Sequence, residues 1–441
     1  MPEKDFNSKQ IKKNVLLSLS VQLVSFFVSL ILNLILPKFI CESEYSYWQT
    51  FLLYVSYVPL LHFGFLDGLM LRYSQYDYDS LDKSLIRSQF KIFLSFELFF
   101  AAVTTGTGLF IPNETTKVIL FFIAFAIVST NVFTYTSYFF QLTNRISKYA
   151  VLVLIQRLLL GVGVLSLIIA GKQYFWEICI VYLFADAVAI LWGSIGNKGL
   201  YWGQSVSVKE GFRELWKNVS AGVMLLIANL SAMLLVGGAK MFVQWRYDAL
   251  TFGKVAFSFN VSNLFLTFVT AASVALFPSL KRINQENLPD VYMKIRKSVT
   301  PWLFVALLTY FPGCFILEAW LPNYASSLLY LGVLLPIIVF ASRVSLLTNN
   351  YLKAYRKEKT MLRINLLSVC AAFVMFYIST YILDSILFVL LSLVLVIMVR
   401  SIISEIVVMR LIKKKNYESF VVEVLLTVAF ILVTMKFNGL L

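Results

Sequence analysis

Arg157, Arg343 and Arg400 each stand inside a long apolar run, and so do Glu97 and Asp186. A charge in hydrocarbon is expensive, so ionisable side chains at that depth face protein or water and mark binding sites, proton relays or ion paths. Arg157 lies about ten residues into its run, roughly 15 Å deep at the helical rise, too deep to snorkel easily. Its guanidinium suits either a water-filled cavity that receives an anionic head group or a structural pair with a carboxylate on a neighbouring helix. Arg343 is nearer the inner end and is read as lining the same cavity. Arg400 has Ser404 at i+4 and Glu405 at i+5, so a cavity position and a local network are both open. Lys38 and Lys240 stand at outer ends of runs, where snorkelling accounts for them; both are kept as candidate anion contacts. Glu97 and Asp186 are candidates for a proton or sodium site, or for pairing with Arg157. Pairing is favoured, because a free carboxylate would repel a phosphate.

Such residues must be positioned by membrane helices. The 441 residues are 59% hydrophobic and 14% charged, with a mean hydropathy of +0.80; a soluble domain has roughly a quarter charged residues. No soluble core buries that much apolar surface, which excludes a cytosolic enzyme, a secreted disulfide scaffold and a disordered chain. Thirteen apolar runs are predicted to be helices: Asn14–Leu36, Tyr45–Leu71, Ser88–Ile111, Val118–Gln141, Tyr149–Ala170, Phe175–Gly193, Val219–Phe242, Leu250–Phe277, Val299–Leu317, Leu328–Leu347, Met361–Ile382, Ser385–Met409 and a shorter Phe420–Met435. A bilayer crossing takes about 20 residues. The first run is too long for a signal peptide, and no small-residue cleavage site follows it.

The 38 lysines and arginines test this count. With the amino terminus in the cytoplasm, 28 of them fall on the inner side, seven on the outer side, and three inside spans. No basic loop falls on the wrong side, which is the pattern expected of cytoplasmic loops. The net charge of +15 is thereby explained without nucleic acid. The long inner connection divides the chain into 1–197 as an N-lobe of six helices, 198–218 as a cytoplasmic linker, 219–412 as a C-lobe of six, and 413–441 as an additional C-terminal helix. A six-plus-six division suggests two similar bundles.

Enzyme motifs are missing: no phosphate loop, no Gly-rich dinucleotide turn, no HExxH and no GxSxG. With one histidine and four scattered cysteines, neither a metal site nor a cofactor is expected. His62 is read as hydrogen-bonded packing. Pro59, Pro312 and Pro336 stand inside runs, where each frees a carbonyl and permits a bend.

The segment HFGFLDGLMLRY at His62–Tyr73 is followed by DYDSLDK at Asp77–Lys83. Farther on come ANLSAMLLVGGAKMFV at Ala228–Val243, FGKVAF from Phe252, LFPSL at Leu276–Leu280, WLPNYASS at Trp320–Ser327 and LLP at Leu334–Pro336. In that order, these segments resemble the Wzx-type polysaccharide flippases of the MOP exporter superfamily, in a Gram-positive branch with a DG-x-x-LRY pattern. Gly64, Asp67, Gly68 and Arg72 are the signature positions. His62 and Ala239-Lys240 depart from that pattern, since many such proteins carry Asp and Asp-Arg there.

The resemblance implies an all-α polytopic membrane protein of the MOP/MATE type, with two six-helix lobes around a central cavity plus an additional C-terminal helix. It implies a flippase that carries an undecaprenyl-diphosphate-linked oligosaccharide from the inner to the outer leaflet of the bacterial cytoplasmic membrane, for capsule or another surface polysaccharide. Its expected partners are the lipid-linked oligosaccharide, membrane lipids, a polysaccharide polymerase and assembly proteins. Two alternatives stand beside it. One is a MATE-like multidrug exporter, against which three intramembrane arginines argue. The other is a membrane polysaccharide polymerase, which would need a large outer loop that this chain lacks.

Overall fold

The computed structural model describes residues 8–280, 288–414 and 418–440, which are helices and short connections with no strand among them. Lys4, Lys281, Arg282 and Lys415, counted above as inner cations, lie outside the described residues, as do the side chains of Lys9, Lys12, Lys13 and Leu276–Leu280. Among the described residues ten helical segments are long and apolar enough to cross a bilayer, and two bent pairs pass the same test together. A further long helix, Ala249–Leu280, covers the eighth apolar run. The chain is an all-helical, multi-pass membrane protein, and it divides into two compact units, Met1–Asn229 and Leu230–Leu441.

The first unit holds α1 (Ser8–Leu30), α2 (Glu42–Tyr57), α3 (Phe65–Tyr73), α4 (Lys83–Leu109), α5 (Glu114–Leu142), α6 (Ile146–Ile169), α7 (Phe175–Gly196) and the amino-terminal part of α8 (Val208–Arg246). Two caps show how sequence places helix starts. Asp82 accepts from the Ser84 and Leu85 amides, both at 3.1 Å, and Asn113 accepts from the Thr116 amide at 2.9 Å. Each cap satisfies first-turn N–H groups that have no partner within the helix.

The run Tyr45–Leu71 is not one straight span. It breaks by 56° between Glu42–His62 and Phe65–Tyr73. Pro59 opens a tight 3-10 turn, Val58–His62, and two left-handed residues follow, Phe63 at φ 48° and Gly64 at φ 83°. Proline supplies no N–H to continue the ladder, and glycine takes the left-handed conformation without steric cost. The Gly64 amide donates to His62 Nδ1 at 3.1 Å, so His62 fixes the turn.

Beyond the break, α3 packs Phe65, Leu66 and Leu69 into an aromatic core with Phe90, Phe93, Tyr135 and Phe139. Ring centroids lie 5.3 Å apart for Phe65–Phe93 and 4.8 Å for Phe90–Tyr135. Large side chains on the opposite faces, such as Phe99, Leu109 and Phe121, are exposed to the surrounding solvent, which for this chain is lipid.

The stretch 198–218, expected as a linker, is largely helical and tied down. Lys198–Tyr201 forms a turn of helix and α8 begins at Val208. Arg87 on α4 holds the chain between them, donating through Nε to the Gln204 carbonyl at 2.8 Å and through Nη1 to the Gly199 carbonyl at 2.5 Å. The division between units therefore falls inside α8, after Asn229, and not in the linker. Glycine contacts described below explain why the first turns of α8 belong with the first unit.

The second unit holds the rest of α8, then α9 (Ala249–Leu280), α10 (Leu288–Leu307), α11 (Tyr310–Trp320), α12 (Ser327–Leu334), α13 (Pro336–Arg343), α14 (Glu358–Tyr377), α15 (Ile386–Leu411) and α16 (Glu418–Phe437). Pro336 stands at the first turn of α13, where its missing N–H costs nothing. The thirteenth run, expected at Phe420–Met435, is α16. It buries Glu423, Thr427, Phe430 and Thr434 against the unit and turns Val421, Val422 and Leu425 outward.

Candidate functional site

Among the described residues, the charges within apolar runs include some neutralised by carboxylates and some with no carboxylate within 4.0 Å. Arg343, expected in a cavity, belongs to the first group. It is 1% exposed. Its Nη1 pairs with Glu423 and its Nη2 with Glu405. Arg296 closes the ring, with Nε on Glu405 and Nη2 on Glu423 at 2.8 Å. Four helices, α10, α13, α15 and α16, thus contribute one charge each to a buried, electrically neutral quartet. Placing Arg343 among cavity cations was incorrect, because both ends of its guanidinium fork are consumed by acids and solvent does not reach it. Arg296, counted among inner-loop cations, sits within α10 and is equally enclosed.

Arg400 also departs from one of its two expected settings. Glu405 is taken by the quartet, and Arg400 Nε instead donates to Asn365 Oδ1 at 2.9 Å. Lys240 Nζ donates to Asn260 Oδ1 at 3.4 Å and lies 5.1 Å from the centre of the Phe259 ring. Both residues are half-buried in the second unit, and among the described residues neither has a carboxylate within 4.0 Å. Lys38 is exposed at the short helix Leu36–Phe39, at the end of its apolar run.

In the first unit Arg157 is half-buried on α6. Its Nε is enclosed without a hydrogen-bond partner, and among the described residues no carboxylate lies within 4.0 Å of it. The favoured pairing with Glu97 or Asp186 does not form. Asp186 on α7 is saturated by neutral donors, Gln156 Nε2 at 2.7 Å and Ser129 Oγ at 3.0 Å. Glu97 on α4 accepts from Asn131 Nδ2 at 2.7 Å. Arg157 therefore carries its charge on α6 with no carboxylate partner among the described residues.

The signature residues build a helix crossing. Arg72 at the end of α3 donates through Nη1 to Asn218 Oδ1 at 2.5 Å and pairs through Nη2 with Glu214, both on α8. Glu214 also takes Lys217 Nζ at 2.9 Å, and Asn218 Nδ2 donates to Gln89 Oε1 at 2.7 Å. Gly64, Gly68 and Gly222 let the two backbones meet: a Cβ on Gly68 would stand 1.8 Å from the Asn218 carbonyl oxygen, and one on Gly222 would stand 2.0 Å from that of Gly64. Asp67 is buried beside them, with no ion pair among the described residues. Replacing Arg72 with lysine keeps the charge and loses the fork. Arg72→Lys is expected to cost about 1.5 kcal/mol of stability, read as a lower unfolding midpoint in detergent.

Sequence reasoning missed Arg296, Glu423, Asn131, Glu214 and Asn218. Glu423 carried a signal, being an acid within an apolar run.

No family model matches this chain, and no curated protein matches it in sequence. Solved structures do match it in fold. The lipid II flippase MurJ, in an inward closed conformation, aligns with a TM-score of 0.66 over 96% of this chain and 98% of its own, at 13% identity. An inward-facing multidrug resistance MATE family transporter of the MOP superfamily aligns at 0.58 over 90% and 98%, with 10% identity. A MATE structure in the straight conformation gives 0.54 over 91% and 96%, with 11% identity. At these identities the likeness is one of fold, and the chain has the fold that these flippase and multidrug transporters share.

Proposed function

We propose that this protein is a transporter that moves an anionic, lipid-linked oligosaccharide from the inner to the outer leaflet of the cytoplasmic membrane, by alternating access and with its amino terminus inside. What carries this reading is the sorting of the charges. Arg296 and Arg343 are neutralised by Glu405 and Glu423, whereas Arg157 and Arg400, within apolar runs, and Lys240, at the outer end of one, have no carboxylate partner among the described residues. Unneutralised cations in a low-dielectric setting suit a substrate that brings negative charge, and they oppose a cationic drug. A diphosphate head needs such donors in place of water, while its isoprenoid tail stays in lipid. Membrane lipids, a polymerase and assembly proteins are the partners this reading assigns.

Arg157→Ala, at unchanged protein level, is expected to lower export of the lipid-linked glycan by at least about tenfold, the worth of one charge-assisted bond to phosphate. Arg157→Lys should retain an intermediate rate. Counting lipid-linked repeat units stranded inside a deletion strain complemented with each variant reads the effect. Sensitivity of that strain to cationic drugs, with normal glycan export, would favour a multidrug exporter and overturn the proposal.

A further inference from the structure

Glu97 Oε1 and Asn131 Oδ1, deep in the first unit, are both buried without a hydrogen-bond partner. Both residues are 0% exposed, near the middle of α4 and α5. Asn131 Nδ2 donates to Glu97 Oε2 at 2.7 Å and to the Val58 carbonyl at 3.2 Å. A carbonyl only accepts, so the amide cannot be turned round to present Oδ1 there. An ionised carboxylate enclosed with a single neutral donor is a costly arrangement. One proton on Glu97 removes the charge, whereas two oxygens are too few to replace the shell of a metal cation.

Other charged or titratable groups on the elements around α4 and α5 do not supply the missing partner: Asp186 on α7 is held by Gln156 and Ser129, and the Tyr57 and Tyr135 hydroxyls are themselves buried without a hydrogen-bond partner. His62 accepts from the Gly64 amide. Arg72, Glu214 and Lys217 close their own network. Tyr201 bonds Thr136 at 2.6 Å, and Tyr135 sits in the aromatic core. Asp67 lies on α3, and the cations of α4 itself, Lys83, Arg87 and Lys91, cluster towards its amino-terminal half. At the far end of α5, Lys117 and Glu114 pair with each other at 2.6 Å.

We propose that Glu97 is an exchangeable proton site whose occupancy is read by the break in the second span. Asn131 Nδ2 is shared between Glu97 and Val58, and Val58 is the residue at which the tight turn of the 56° break begins. When the proton leaves, Glu97 becomes a charged acceptor and draws the amide to itself, because a bond to an ionised acceptor is about twice as strong as a neutral one. The Val58 bond weakens and the turn loosens. When the proton returns, the turn tightens. Proton uptake is thereby converted into movement of the segment that carries Gly64 and the helix crossing.

The test uses the full chain in lipid nanodiscs and no substrate, so its outcome is independent of which molecule is carried. Infrared difference spectra across a pH titration are expected to show a protonated-carboxyl band in the wild type that is lost in Glu97→Gln. Hydrogen exchange at the Leu60–Gly64 amides, normalised to intrinsic rates, is expected to rise with pH in the wild type and to stay flat in Glu97→Gln. Should that variant not fold, Asn131→Leu keeps Glu97 in place and is expected to shift the same band upward as its donor is lost. A wild type with no such band at any pH, or one whose turn responds to sodium against choline at fixed pH, would overturn the assignment.

Discussion

Glu423→Ala is expected to lower the unfolding free energy by about 3–5 kcal/mol, the cost of leaving a buried ion without its partner. The change removes one of four alternating charges and leaves Arg296, Arg343 and Glu405 with a net positive charge in a closed site. The paired control is Glu423→Leu with Arg343→Met. That double variant removes one charge of each sign and keeps the Arg296–Glu405 pair, so it should be more stable than either single variant. Unfolding in a common detergent, together with protein level in the membrane, measures both. A Glu423→Ala protein within about 1 kcal/mol of wild type would mean that the quartet behaves as a hydrated surface pair. The result also bears on the thirteenth helix, since Glu423 is the charge by which α16 joins the second unit.

Gly68→Ala is expected to be disruptive on a similar scale. Its new methyl would meet the Asn218 backbone, and a backbone cannot rotate aside as a side-chain end can. Forcing α3 from α8 would also separate Arg72 from Glu214 and Asn218. Overpacking alone costs about 1–3 kcal/mol, and the lost network adds to it, so folded protein should fall below detection in membranes. Gly106→Ala is the control on α4, where nothing lies within 4 Å of the added carbon. There the substitution should stabilise by about 0.5–1 kcal/mol through helix propensity. Equal loss in both variants would show that the crossing is not as close as the glycines require.

Much of the helical architecture is legible in the sequence, because a bilayer demands long apolar runs and sorts cations to one side. The break at Phe63–Gly64 was only half legible. Pro59 announces a bend, but Tyr45–Leu71 reads as one apolar run, since hydropathy carries no information about backbone angle. The fate of each buried charge was the least legible. Arg343 and Glu423 are 80 positions apart, and no local spacing couples them. Arg400 and Glu405 are near in sequence yet choose different partners, because residues five apart on a helix point away from each other. The signature residues were legible as a pattern, and their structural role was not: Gly68 and Arg72 bring α3 against α8, a contact between residues about 150 positions apart.

The claim on which the functional reading rests is that Arg157 meets the phosphate of a lipid-linked substrate. Its most direct measurement is transbilayer movement of a fluorescent polyprenyl-diphosphate-linked oligosaccharide in proteoliposomes, wild type against Arg157→Ala at matched reconstitution. The account predicts movement by the wild type that falls at least about tenfold in the variant, with a neutral polyprenyl glycoside moved poorly by both. Equal rates for wild type and variant, or no preference for the diphosphate over the neutral lipid, would contradict it.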